Sequence, residues 1–95
     1  MAEQVRHRVI TAQNQWTEHL TLPAGMSAAI SVRSTNGSTV SVQRAVSGQD
    51  WQTVKKYEDA DAPIEETYGP DCSVAIRIGV DTGDYVGNAE VQVAM

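Results

Sequence analysis

The chain of 95 residues contains one cysteine, no phenylalanine and only 5% aromatic residues. Cys72 has no second cysteine to pair with, so an internal disulfide is excluded, and its place in an alternating segment predicts a small buried side chain. No apolar run is long enough for a transmembrane helix, and the start MAEQVRHRVI lacks the apolar stretch of a signal peptide. We therefore expect the chain to fold in the cytoplasm.

Basic residues are also scarce. Seven Lys and Arg stand against 12 Asp and Glu, which gives a formal net charge of −5. Nucleic acids and anionic membrane surfaces are bound mainly through clustered Lys and Arg. The charge balance therefore argues against both as partners.

What the chain does contain is apolar residues that alternate with polar ones. Apolar residues make up 41% of the sequence, and their period is two rather than the 3.6 of a helix. The clearest rows lie at residues 28–32, 40–46, 72–80 and 89–95. Short strands of this kind, with turn residues between them, predict an all-β, antiparallel β-sandwich of about six or seven strands, immunoglobulin-like or jelly-roll-like.

Three of the predicted strands are expected to form a meander. Asn36-Gly37 is the strongest hairpin signal in the chain and would join the first two strands of this meander. A second turn, SGQD, leads to WQTVKKY, in which Val54 breaks the alternation and indicates a bulge or an edge strand. Arg44 falls on the same face of the predicted strand as Val42, which is expected to be the core face. Either this strand ends near Arg44, or the alternation shifts by one residue after Gln43.

Two segments fall outside the alternating pattern. Residues 1–10 are basic and form either an N-terminal arm or the first strand, ahead of a single sandwich domain at residues 11–95. Residues 58–71 are acidic, contain two prolines and have almost no apolar alternation. This composition predicts a connection from one sheet to the other and not a strand.

Asp81-Thr82-Gly83 matches the triplet that carries the catalytic carboxylate of aspartic proteases. Those enzymes need two aspartates close enough to share a proton, and a long chain to build the substrate cleft. Only 12 residues follow Gly83 here, and most of them are needed for the last strand. Because Asp, Thr and Gly between two strands are typical of a turn, we expect a turn.

No other pattern predicts catalysis, a metal or a cofactor. Five acidic residues offer oxygen ligands of the kind that Ca²⁺ prefers: Asp59, Asp61, Glu65, Glu66 and Asp71. Their spacing is not that of an EF-hand, so a solvated acidic loop is expected, with weak Ca²⁺ binding as the alternative. His7 and His19 lack further ligands at metal-binding spacing. No serine lies in a G-x-S-x-G elbow, and a non-enzymatic protein is expected.

Trp16 and Trp51 are the two largest side chains. With no phenylalanine available, we expect one or both to anchor the core. The alternative is an aromatic surface for carbohydrate, formed together with Tyr57, Tyr68 and Tyr85.

Two passages resemble known families. TVSVQRAVSGQDWQTVKKY resembles the hairpin of fibronectin type III-like and other immunoglobulin-like sandwiches, with matches at Val40, Val42, Arg44, Gly48, Trp51, Val54 and Tyr57. It departs from that hairpin at Ala45, where serine is usual, and in a shortened loop. YGPDCSVAIRIGVDTGDYVGNAEVQVAM resembles the closing half of short β-sandwich proteins of tailed bacteriophages and prophages, with matches at Ile76, Arg77, Ile78, Gly79, Val80, Thr82, Gly83, Tyr85, Gly87, Val91 and Val93. LPAG, residues 22–25, also occurs in those proteins.

The resemblance covers residues 20–95 and implies a virion structural protein that folds in the bacterial host cytoplasm. The first expectation is a capsid decoration protein that binds the major capsid protein in many copies. A head-fibre base, a head–tail connector or a tail component is the alternative, and a carbohydrate-binding or adhesive module is the competing class. We expect a homo-oligomer, with a trimer before other states.

Arg6, His7 and Arg8 are the residues expected to bind the partner. They make this segment basic while the remainder of the chain is acidic. The segment could add a strand to an exposed sheet edge of a neighbouring protein.

Overall fold

A computed structural model shows two stacked antiparallel sheets and describes residues 5–46, 50–58, 63–70 and 72–95. In chain order the strands are β1 (Val5–Ile10), β2 (Gln15–Trp16), β3 (Leu20–Leu22), β4 (Ala28–Ser34), β5 (Val40–Val46), β6 (Gln52–Tyr57), β7 (Ile64–Tyr68), β8 (Val74–Val80) and β9 (Ala89–Ala94). The predicted all-β antiparallel sandwich is confirmed, with nine strands in these ranges instead of six or seven. In the described part of the chain, no helix has the length and apolar character needed to cross a bilayer.

The order of the strands defines the topology. Sheet A has the order β1-β9-β4-β7, and sheet B has the order β2-β8-β5-β6, with β3 also paired to β8. If β2 and β3 are counted as one strand, the first strand pairs with the last, the second with the seventh, the third with the sixth and the fourth with the fifth. This wrapping is that of a jelly roll and not of an immunoglobulin domain.

The interior lies between the two sheets and is filled by alternate residues of their strands. Its buried side chains are aliphatic apart from one tyrosine: Ile10, Leu20, Leu22, Ala28, Ile30, Val32, Val40, Val42, Tyr57, Val74, Ile76, Ile78, Val80, Ala89, Val91 and Val93. Full burial of one Val, Leu or Ile side chain contributes about 1.5–3 kcal/mol. The alternation in β4, β5, β8 and β9 therefore supplies most of the driving force for folding.

Trp16, Leu20 and Leu22 share one parity in the sequence, as in a single strand, but residues 16–22 contribute to two strands, β2 and β3. Trp16 pairs with Gly79, whereas Leu20 pairs with Ile76, so one extra residue is present between β2 and β3. The backbone N–H of Ile78 donates to the Thr17 hydroxyl at 3.2 Å instead of to a carbonyl of a continuous strand. This shift reverses the parity of the chain, and Trp16 and Leu20 consequently face opposite sides of sheet B.

The predicted three-stranded meander is wrong in its first half. Asn36 and Gly37 do form a tight turn, with φ values of 48° and 89°. However, β4 pairs with β9 and β7 in sheet A, and β5 pairs with β8 and β6 in sheet B. The turn thus crosses between the sheets, where the Ser38 hydroxyl donates to the Gly87 carbonyl oxygen at 2.6 Å and accepts from the Val86 backbone N–H at 2.8 Å.

The second half of the meander is confirmed. β5 and β6 form a hairpin, and their register shifts between Val42 and Gln43 because Val54 is an extra residue in β6. β6 is also the edge strand of sheet B. The SGQD turn spans residues 47–50, of which 47–49 lie outside the described residues.

The acidic segment crosses between the sheets as expected, but it is not only a connection. Ile64–Tyr68 forms β7, which pairs with β4 at the edge of sheet A. Its residues have a weak apolar pattern because both of its faces and one of its edges are largely exposed. Backbone pairing to an existing sheet edge therefore determines this strand more than its side chains do.

Candidate functional site

The outer face of sheet B carries an arginine that lies against two tryptophan rings. Arg77 comes from the central strand β8, Trp16 from β2, and Trp51 from the position before β6. The guanidinium carbon of Arg77 is 4.3 Å from the centroid of the Trp16 ring and 4.4 Å from that of the Trp51 ring. These two cation–π contacts cover one face of each indole.

Hydrogen bonds fix the arginine between the rings. The Oε1 atom of Gln43 accepts from Nε of Arg77 at 3.0 Å and from Nη2 at 2.7 Å, and Nε2 of Gln43 donates to the Thr53 hydroxyl at 3.2 Å. Burial lowers the pKa of Arg77, and the negative charge of Asp81 acts in the opposite direction. We call this surface the Trp–Arg surface: Trp16, Gln43, Trp51, Thr53 and Arg77.

The expectation that one or both tryptophans anchor the core is wrong. Trp16 and Trp51 are half-buried and lie outside the cluster of core residues. The extra residue between β2 and β3 turns Trp16 outward, and Trp51 stands at the exposed edge of sheet B. The interior is instead packed with aliphatic side chains.

The three tyrosines do not extend this aromatic surface. Tyr57 is buried in the core, and Tyr68 and Tyr85 pack against it. The hydroxyl of Tyr85 donates to Oδ1 of Asn88 at 2.7 Å. Of the five aromatic residues, the structure brings only the two tryptophans together on the outer face.

The predicted partner-binding residues lie along one side of the sandwich, which we call the β1–β2 side because it is formed by β1, β2 and β3. Nη1 of Arg8 donates to the Trp16 carbonyl oxygen at 2.9 Å, and Nε of Arg6 is 3.8 Å from Oε2 of Glu18. Nε2 of His7 is 3.0 Å from Oε2 of Glu90 on the outer face of sheet A. The three side chains thus contact the chain itself, and their binding to a partner stays a prediction.

The opposite side, which we call the β6–β7 side, is closed by contacts between the sheets. The Tyr57 hydroxyl donates to Oε2 of Glu66 at 3.0 Å, and Nη1 of Arg44 donates to the Tyr68 hydroxyl at 3.1 Å. The sequence left open whether the strand ends at Arg44 or shifts its alternation there. Neither occurs, because β5 continues to Val46 in regular register with β8. Arg44 therefore lies on the inward face of β5, and its side chain reaches across to β7.

The Asp81-Thr82-Gly83 segment is a turn, as expected. The backbone N–H of Asp84 donates to the Asp81 carbonyl oxygen at 3.1 Å, and the backbone N–H of Thr82 donates to Oδ1 of Asp81 at 2.8 Å. The carboxylate therefore stabilises its own turn in the way that is common for aspartate at this position.

The acidic segment is only partly described. Glu65 and Glu66 lie in β7 and are exposed, whereas Asp59, Asp61 and Asp71 lie outside the described residues. Within the described ranges, no group of three or more His, Cys, Asp or Glu side chains is positioned to hold a metal ion. Ca²⁺ binding by residues 58–71 thus stays the alternative that the sequence raised.

Cys72 is exposed, and the expectation that it is buried is wrong. β8 begins at Val74, two residues after Cys72, so the strand alternation that predicted burial does not extend to this residue. We expect a small thiol reagent to modify one thiol per folded chain at a rate within about tenfold of that in denaturant. A thiol that reacts only after unfolding would contradict this exposure.

The fold and the surface define the class of protein as a jelly-roll β-sandwich with a cation–π surface on one outer face. Comparisons of the chain with protein-family models, with curated proteins and with solved structures gave no significant match.

Proposed function

We propose that the protein is a structural subunit of a tailed-phage particle, a decoration protein that binds the outer surface of the capsid in many copies. Three features support this proposal. Residues 68–95 and the LPAG segment at residues 22–25 resemble short β-sandwich proteins of tailed phages, the net charge of the chain is −5, and its topology is that of a jelly roll, an architecture found in viral capsid proteins and in lectins. The jelly-roll architecture supports the proposal by analogy with viral capsid proteins.

The observation that carries the proposal is the Trp–Arg surface. Trp and Arg are the residues most enriched among those that dominate the energy of protein interfaces. Here both tryptophans are kept out of a core that lacks phenylalanine, and Arg77 and Gln43 hold their side chains in place. A rigid surface of this kind loses little side-chain entropy on binding. We therefore assign the Trp–Arg surface to the contact with the capsid.

The same surface bears on the competing function, carbohydrate binding. Sugar rings stack on free aromatic faces, but Arg77 already covers one face of each indole. A sugar would have to use the opposite faces. The geometry thus favours a protein partner over a glycan.

The copy number in purified particles tests the proposed function. A decoration protein is expected in the order of hundreds of copies per particle, in a fixed ratio to the major capsid protein. About a dozen copies would instead identify a connector or tail component. Absence from particles, together with retention on a glycan surface, would contradict the proposal and support the carbohydrate-binding class.

Replacement of Trp51 tests the assigned surface. We expect Trp51→Ala to lower the affinity for particles that lack the protein by at least about tenfold, since truncation of an interface hot spot costs about 2 kcal/mol or more. Val86→Ala is the matched control, because Val86 is the most exposed large apolar residue in the described ranges, at 72%, and lies in the loop between β8 and β9, away from this surface. Equal loss for both variants would contradict a specific role of Trp51, and the far-UV circular dichroism of each variant reports whether it is folded.

A further inference from the structure

We infer that copies of this chain associate side to side, with the β6–β7 side of one copy against the β1–β2 side of the next. The inference concerns the purified protein and does not depend on the proposed role in a particle. It rests on the directions of the edge strands and on the charges that these strands carry.

Strand direction permits pairing in both layers. Neighbouring strands are antiparallel throughout sheet A and sheet B. Because each sheet is four strands wide, with β2 and β3 sharing one edge position, its two edge strands run in opposite directions. When one copy is placed beside another in the same orientation, β7 lies antiparallel to β1 of the next copy. β6 likewise lies antiparallel to β2 and β3 of the next copy, so both ladders can continue.

The edge strands of sheet A carry opposite charges. β1 presents Arg6, His7 and Arg8, and β7 presents Glu65 and Glu66. Within sheet A, His7 and Glu65 both have outward parity, whereas Arg6 and Glu66 both have inward parity. The antiparallel register that places Arg6 opposite Glu66 of the next copy therefore also places His7 opposite Glu65.

In sheet B the charges of the two edges are reversed: the edge on the β6–β7 side is basic, and the edge on the β1–β2 side carries a carboxylate. Lys55 and Lys56 lie on the exposed edge strand β6, and Glu18 lies between β2 and β3 with 88% of its side chain exposed. On the β6–β7 side, sheet A is thus acidic and sheet B is basic. On the β1–β2 side, sheet A is basic and sheet B has the exposed carboxylate. In a side-to-side pair, the edge of each sheet therefore lies against an edge of opposite charge in the same sheet of the next copy. If the second copy were turned over so that sheet A met sheet B, edges of like charge would meet.

The contacts that these residues make within the chain do not prevent the association. The Arg6–Glu18 distance is 3.8 Å, the Lys56–Asp84 distance is 3.9 Å, and the four side chains are 28–88% exposed. Such exposed ion pairs contribute little to stability, so their groups can be shared with a neighbouring copy. Pairing through the edges also leaves the outer face of sheet B uncovered where it carries Gln43 and Arg77, on the central strands β5 and β8.

Two substitutions, one on each side, test the inference. Glu65→Lys reverses a charge on the β6–β7 side, and His7→Glu places a carboxylate on the β1–β2 side. We expect each variant alone to self-associate about tenfold more weakly than the wild type, as measured by sedimentation velocity over a range of concentrations at low ionic strength. A mixture of the two variants is expected to associate again, with the two chains alternating, because His7→Glu of one chain can meet Glu65→Lys of the other and the unchanged sides can meet each other.

The controls change the charge at exposed positions away from both sides. Arg33→Glu reverses a charge on β4, which is not an edge strand, and Val86→Lys adds a charge in the loop between β8 and β9. We expect both control variants to associate like the wild type. Lys55→Glu and Glu18→Lys repeat the mixing experiment in sheet B and do not disturb the contact of His7 with Glu90.

Several results would overturn the inference. A wild-type chain that stays monomeric at all accessible concentrations would do so. A loss of association in His7→Glu but not in Glu65→Lys would also do so, because it would indicate pairing of β1 with β1 of a second copy. Failure of the mixture to associate while each control variant associates would be equally decisive. Copy number on particles is a separate measurement, so failure of this inference and failure of the proposed function can be distinguished.

Discussion

Gly79→Ala is expected to destabilise the fold by about 3 kcal/mol, a large part of the stability of a domain of this size. A Cβ atom at this position would lie 2.7 Å from Cα of Trp16 and even closer to the carbonyl oxygen of Gln15. Both are backbone atoms of β2, so no side-chain rotation can relieve the overlap. β2 would have to move away from β8, and Trp16 would move with it, away from Arg77.

Chemical denaturation measures this effect, and Gly25→Ala is its control. Gly25 has a φ of +82°, but a Cβ atom there would meet no atom within 4 Å. Its replacement is therefore expected to cost about 1 kcal/mol of backbone strain only. If Gly79→Ala were as stable as Gly25→Ala, the close approach of β2 to β8 would be wrong.

Arg77→Ala is expected to cost about 3 kcal/mol of stability and to change the fluorescence of both tryptophans. The substitution removes two cation–π contacts and leaves Oε1 of Gln43, a residue only 7% exposed, without its donor. Arg77→Lys is expected to recover about half of the loss, since an ammonium group keeps the charge but cannot lie flat against two rings.

Arg33→Ala is the matched control for this prediction. Arg33 also lies within a strand, but its side chain is 66% exposed, and its Nε is 3.9 Å from a carboxylate oxygen of Glu90. We expect a change of stability within about 0.5 kcal/mol and no change of tryptophan emission. Equal denaturation midpoints for Arg77→Ala and Arg33→Ala would show that the Trp–Arg surface does not stabilise the fold.

The turn at Asn36-Gly37 shows where local sequence signals stop being sufficient. A two-residue hairpin at this turn would pair Arg33 with Val40 and Ser31 with Val42. The apolar rows of β4 and β5 would then lie on opposite faces of one sheet, and only one row could be buried. Crossing to the second sheet lets both rows face the same interior, so burial of the rows outweighs the local preference for a hairpin.

Trp16 shows a second limit, because one residue changes the face on which a side chain lies. The alternation of residues 16–22 places Trp16 with Leu20 and Leu22, but the extra residue between β2 and β3 separates them. At this irregularity the Thr17 hydroxyl accepts from the Ile78 backbone N–H. That contact joins residues far apart in the chain and has no local signal.

The Trp–Arg surface had a partial signal in the sequence. The alternation of β8 assigns Ile76 and Ile78 to the interior and therefore Arg77 to the outer face, where Gln43 also belongs by the parity of β5. The alternation does not give the order of the strands. In sheet B this order places β2 next to β8 and β6 next to β5, and so brings both tryptophans to Arg77. Without that order, the neighbours of Arg77 could not be identified.

The sequence by itself determined that the chain is an antiparallel β-sandwich, which apolar residues of β4, β5, β8 and β9 face the interior, and that Asp81-Thr82-Gly83 is a turn. These features depend on neighbours within a few residues, since side chains alternate along every strand. Only the tertiary structure decided the jelly-roll strand order, the outward position of both tryptophans, the strand β7 and the exposure of Cys72. Each of these depends on which distant backbone occupies a sheet edge, and that choice is made by burying all apolar rows in one interior.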